Sequence, residues 1–151
     1  MVIKYIGFNL LTQGGNMNRE IIFRAKGSGN WRYGSYVHFD KKPTHNCCNC
    51  NYKDFIVTNE VDGEHYYPIT ELSTIGQCTG LKDKNGKKIF EGDIVTISSD
   101  LKAMVIWFNG SFRFQDELSS KATYFDDIGA IMRDYDVQVI GNIHDNPELM
   151  K

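Results

Sequence analysis

The chain has 151 residues, enough for one ordinary domain or two small ones sharing a core. Hydrophobic residues make up 41% and charged residues 24%, the balance of a folded soluble domain rather than a disordered one. A formal net charge of -2 gives no whole-molecule attraction to a polyanion, and no apolar run approaches the ~20 residues of a membrane-spanning helix.

Gln13-Gly14-Gly15-Asn16, directly before Met17, back-translates to a purine-rich sequence like a ribosome-binding site. Met17 is therefore the expected natural start, and residues 1–16 an expected leader without ordered structure of their own. Their apolar patch carries one lysine, Lys4, and no small-residue cleavage site follows, so a secretory signal is not expected and the cytoplasm is.

From residue 19 to 25, Ile21, Phe23 and Ala25 alternate with Glu20, Ile22 and Arg24, the period of a strand with one face in a core. A Gly-rich turn over residues 26–30 leads to a returning strand in which Trp31, Tyr33, Val37 and Phe39 share a face and Gly34 marks a bulge. Residues 40–52 lose all periodicity and read as an exposed loop. A hairpin follows, residues 55–58 and 65–69 joined through Asp62-Gly63, and then an extended lead over residues 70–75.

Residues 75–95 organise the rest. Two short β segments meet at Asn85-Gly86, a pair that tolerates the positive φ of a tight hairpin turn. Glu91-Gly92-Asp93 makes a second reversal, with Gly92 free to take positive φ and the Asp93 carboxylate placed to accept nearby backbone N–H groups. The apolar run of residues 103–108 reads as the central strand of the sheet, followed by a second hairpin turn at Asn109-Gly110. Phe125, Ile128, Ile131, Met132 and Tyr135 recur at helical spacing, which predicts one helix from 124 to 135 with Thr123 as N-cap and Asp126 and Asp127 beside its positive end. Residues 137–143 return to period two, and Asn146-Pro147 starts a last turn.

The words Gly76-Gln77-Cys78-Thr79-Gly80-Leu81-Lys82-Asp83-Lys84-Asn85-Gly86, ending in Glu91-Gly92-Asp93-Ile94-Val95, closely resemble those of the YopX-like proteins of bacteriophages and prophages. Arg19-Glu20 with Phe23-Arg24-Ala25 is similar to the family's opening, and residues 139–149 to its ending. Family members carry a Trp just after the Phe-Arg-Ala triplet, whereas here Trp31 stands six residues beyond Ala25, and a Tyr where this chain has Cys78. The resemblance implies a phage or prophage accessory protein and assigns no activity.

Four constellations bear on function. In His45-Asn46-Cys47-Cys48-Asn49-Cys50, Cys47 and Cys50 have the spacing of half a tetrahedral zinc site with His45 beside them, but the second half is missing, and the adjacent cysteines fit reduced thiols in a loop. Nucleophilic catalysis by Cys47, Cys48, Cys50 or Cys78 has no local signature, and no phosphate loop or cofactor motif is present. No catalytic residue and no cofactor are therefore expected. Lys82, Lys84, Lys87 and Lys88 on one hairpin, with Trp31, Tyr33, Trp107 and Phe112 elsewhere, suit nucleic acid on a small β unit, although lysines around a turn also solvate a hairpin and discourage edge pairing. Binding to a host or phage protein, or to a second copy of the chain, asks least of the sequence and is the leading expectation.

The expected fold is mainly β within the α+β class. It is a small twisted barrel-like, SH3-like sheet of hairpins with one helix near the C-terminus. The expected domain is 17–151, with a subdivision near residue 74 as an alternative. Asn85, Gly86, Gly92, Asp93, Asn109 and Gly110 are the expected fold-defining positions.

Overall fold

The computed structural model of the chain describes residues 20–41, 52–98, 100–116 and 123–151. The expected leader and the loop with His45, Cys47 and Cys50 lie outside them. Among the described residues the fold is mainly β, with two open antiparallel sheets and one α-helix, and neither sheet closes into a barrel. Among the described residues no helix is long and apolar enough to cross a membrane.

The first sheet has six strands: β1 (Phe23–Gly27), β2 (Asn30–His38), β3 (Asp54–Glu60), β4 (Gly63–Pro68), β5 (Glu71–Lys82) and β6 (Lys88–Phe90), in the order β4-β3-β2-β1-β5-β6. The second has β7 (Asp93–Ile97), β8 (Leu101–Phe108), β9 (Ser111–Asp116), β10 (Thr123–Asp127) and β11 (Val137–Asn142), in the order β10-β9-β8-β7-β11. β8 is therefore the central strand of its sheet, as its apolar run implies. A short 3-10 helix, Pro147–Met150, ends the fold and begins at the expected Asn146-Pro147 turn.

One face of the five-stranded sheet carries the larger core. Val95, Ile97, Ala103, Val105, Phe112, Phe114, Val137 and Val139 are buried there with Ile89 from β6 and Ile128 from the helix. Their spacing of two along each strand puts them on one side of the pleat. The β5–β6 hairpin thus caps the inner face of the sheet that follows it, adding Leu81 at the margin.

Several local expectations are corrected. The helix, α1, runs only over Ile128–Asp134, and the preceding residues form β10, in which Thr123 pairs with Asp116 and Tyr124 with Gln115. The open edge of β9 gives those backbone groups ladder partners, which outweighs a helical period visible mainly in the second half of the window. Asp127, not Thr123, is the N-cap, its Oδ1 accepting the Gly129 N–H at 2.9 Å. Tyr135, expected inside the helix, is extended and 53% exposed.

At the other end, the first strand begins at Phe23, and Ile21 is 53% exposed rather than in a core. Pairing runs through Gly34 without a bulge. That glycine is instead a close approach: a Cβ there would collide with the Val57 carbonyl oxygen.

Candidate functional site

Residues 75–95 carry the chain from the first sheet into the second, and each distinctive residue in them has a bonding job. A Cβ on Gly76 would stand 2.6 Å from the Glu91 carbonyl oxygen, so the glycine lets β5 lie against the turn after β6. Glu91 N–H in turn donates to Gln77 O at 2.9 Å. Thr79 Oγ1 donates to Ile89 O at 3.0 Å and accepts Leu81 N–H at 3.1 Å, bracing the register shift that Gly80 makes at φ +84°.

Asp83 is the hub of the hairpin. Its Oδ1 accepts Asn85 N–H at 2.8 Å and Lys87 N–H at 2.9 Å, and its Oδ2 accepts Val139 N–H from β11 at 3.0 Å. Burial pushes the carboxyl up, but these backbone donors outweigh it and hold the group below its ordinary value. Asn85-Gly86 is thus not a two-residue turn with both φ positive. Only Gly86 is left-handed, at +83°, and the five-residue loop from Asp83 to Lys87 is wrapped around the carboxylate. Asn109-Gly110 does follow the two-residue pattern, with φ +49° and +82° and Phe108 opposite Ser111.

The second reversal joins the two sheets. Gly92, at φ +80°, donates to Val105 O at 2.8 Å and accepts from Ile143 N–H at 2.9 Å. Asp93 Oδ2 accepts Phe90 N–H at 2.8 Å, as expected for the turn carboxylate. Its other oxygen, Oδ1, meets Arg24 Nη1 of β1 at 2.6 Å. Both residues are buried, Arg24 at 5% exposure and Asp93 at 1%. Burial pushes the Asp93 carboxyl up, with Arg24 and the Phe90 N–H acting against it. Arg24 Nη2 also donates to Glu91 O at 3.0 Å, and the guanidinium lies 4.8 Å from the Trp31 ring centroid and 5.1 Å from that of Phe90.

Around this pair stands a second layer from the C-terminal loop. Asp145 takes Lys26 Nζ at 2.6 Å on Oδ1, and Trp31 Nε1–H at 2.6 Å and Asn142 Nδ2–H at 2.8 Å on Oδ2. Asn142 is the first cause and Lys26 the second of a carboxyl held far below its usual range. His144 packs against Trp31 with ring centroids 6.0 Å apart. Arg24 and Lys26 share one face of β1 with Tyr33 and Trp31 across the ladder. The result is a polar, aromatic junction that ties β1 and β2 to β7 and to the loop after β11.

Sequence periodicity assigned Arg24 to a solvent face and gave no sign of Trp31, Lys26 or Asp145 acting together. The one available signal was Asp93 itself, a carboxylate between Gly92 and an apolar strand. Lys82, Lys84 and Lys87 are exposed, and Lys88 is paired with Glu20.

Two other groups were not foreseen. Asp54 Oδ1 accepts Tyr36 OH and meets His38 Nδ1, both at 2.7 Å. Burial, then the bond to Asp54, pushes the Tyr36 phenol up to about 12, so it stays protonated and cannot serve as a base at neutral pH. At the β3–β4 turn, ligand atoms of Glu60, Asp62 and His65 lie within 4.8 Å of one another, the one described group that could hold a metal ion. It is at the surface, with His65 Nε2 2.8 Å from Asp62 Oδ1 and Glu60 Oε1 accepting the hydroxyls of Thr58 and Tyr67.

Residues 22–151 match the YopX protein family. The chain belongs to the YopX family. The match begins just before β1 and ends at the last residue, so it takes in both sheets and the junction between them. A crystal structure of protein EF1440 from Enterococcus faecalis is similar to this YopX protein at 25% identity over 87% of this chain and 99% of that one, with a TM-score of 0.49. No curated protein matches the chain.

Proposed function

We propose that this YopX protein is a non-enzymatic accessory protein of phage or prophage origin that acts by binding a host or phage protein or a second copy of itself, in the cytoplasm of a bacterial cell. The observation that carries the reading is how the described side chains are used. The buried carboxylates, Asp83 and Asp93, are spent on backbone N–H groups and on Arg24. Large apolar side chains, meanwhile, face outward on both sheets: Tyr33 at 49%, Leu72 at 57% and Trp107 at 52% exposure. Groups tied in this way are poor acids, bases and ligands for a substrate, whereas outward aromatic rings suit a protein interface. In the same reading the five-stranded sheet with the β5–β6 hairpin across it is a small SH3-like unit presented for contact.

Native mass spectrometry of the protein isolated gently from its bacterial host tests this. A discrete homo-oligomer or a bound host protein, dispersed by Tyr33→Ser or Trp107→Ser, is expected. A monomer with nothing bound would count against it.

The second reading, nucleic-acid binding, is favoured by one observation, the three exposed lysines Lys82, Lys84 and Lys87 on one hairpin. Changing them to Glu would then weaken binding and flatten its salt dependence. Under the protein-binding reading the same changes have little effect.

A further inference from the structure

We propose that His144 is an acid-sensitive pin between the two sheets: when its imidazole takes up a proton, the loop bearing Asp145 is released from β1 and β2. A Cβ placed on Gly92 would be 3.6 Å from His144 Nε2 and 3.8 Å from Arg24 Nη2, so the imidazole and the guanidinium converge on one bare point of backbone. The ring also packs against Trp31. Trp31 is itself flanked by two cations, Arg24 at 4.8 Å and Lys26 at 5.5 Å from its centroid.

The charged groups facing His144 come from every element packed around it. β1 supplies Arg24 and Lys26, β5 supplies Glu71, and the residue's own loop supplies Asp145, while Asp93 at the β6–β7 turn is bound to Arg24. The carboxylates nearest the cations are already engaged: Asp93 holds Arg24, and Asp145 holds Lys26, Trp31 and Asn142. An imidazolium would be a third cation beside Arg24 and Lys26, with Asp93 and Asp145 already bound to them. Burial first, and then Arg24 and Lys26, accordingly hold His144 below its ordinary value, with Asp145 and Glu71 opposing.

The sign follows from linkage. The folded state favours the neutral ring, so the stabilisation is complete above the unfolded value of about 6.5 and is lost as pH falls from there through the lower folded value. What yields is the contact of Asp145 with Trp31 and Lys26, because those bonds lie at the loop's exposed margin, whereas Arg24 and Asp93 are enclosed.

The test is a pH titration of the whole protein by NMR, following the His144 ring and the two indole N–H signals. Trp31 donates to Asp145, and the exposed Trp107 serves as the internal control. Between pH 7.5 and 5, exchange protection of the Trp31 indole N–H, corrected for intrinsic rate, should fall severalfold in step with His144 protonation while Trp107 stays unchanged. His144→Gln should abolish that fall, and His144→Lys should reproduce the low-pH state at pH 7.5, with core methyl signals of Val95 and Val105 confirming the fold. A His144 that titrates at or above the ordinary histidine value, or a Trp31 fall that persists in His144→Gln, would overturn the proposal.

Discussion

Ten buried apolar side chains, from Ile89 on the hairpin to Ile128 on the helix, fill the core of the five-stranded sheet, whereas the cluster within the six-stranded sheet has three, Ala25, Ile56 and Ile69, edged by Phe23, Tyr36 and Ile75. Each large buried apolar side chain stabilises by about 1.5–3 kcal/mol, so the first cluster contributes more than the second, although Phe55, Val57, Cys78 and Phe90 of the six-stranded sheet are also buried. The six-stranded sheet adds specific polar ties: Arg24 to Asp93, Lys26 and Trp31 to Asp145, and the Lys26 N–H to Thr74 Oγ1. A greasy core tolerates small shifts in position. A buried ion pair does not, because its desolvation is offset only when the geometry is kept.

This contrast can be broken most forcefully in the larger core. Phe114 is fully buried, and Phe114→Ala should cost about 3–5 kcal/mol, seen as a lower urea midpoint for the whole chain. Asp93→Asn should cost a similar amount, about 3–5 kcal/mol, by leaving the Arg24 charge buried without its partner. Replacing both members by Leu and Met should recover much of that loss in the same urea titration, whereas no polar swap rescues Phe114→Ala.

Smaller effects sharpen the comparison. Gly76→Ala forces a Cβ onto the Glu91 carbonyl and should cost about 1–3 kcal/mol, measured by thermal unfolding. Asp83→Asn should act mainly through pH. Asp83 is held low in the folded state, so its stabilisation is present above the ordinary carboxylate value of about 3.9 and is lost as pH falls from there through the lower folded value. The variant should show a flatter acid limb in its unfolding free energy than the native chain. Lys84→Glu, on the exposed side of the same hairpin, should change stability by less than about 0.5 kcal/mol.

Much of the architecture was legible because its causes are local. The hairpin at Asn109-Gly110, the reversal at Gly92, the central β8 and the final turn at Asn146-Pro147 all follow from φ preferences and apolar runs within a few residues. The Asn85-Gly86 hairpin was legible in place but not in form, because its geometry is set by Asp83 bonding to β11, 56 residues away. The helix start was misplaced because β9 offered a ladder edge that no helical period reports. Arg24 escaped for a related reason. Strict alternation counts only parity, and the residue that makes its burial tolerable, Asp93, lies in the other sheet.

A polar junction ties β1 and β2 of the six-stranded sheet to the five-stranded one, alongside the apolar contact that the β5–β6 hairpin makes with the larger core. Native-state amide hydrogen exchange on Asp93→Asn, compared with the unmodified chain, tests it most directly. Protection should fall most in β1 and β2 while β7, β8 and β9 keep the larger part of theirs. A loss spread evenly over both sheets, or none in β1 and β2, would contradict it.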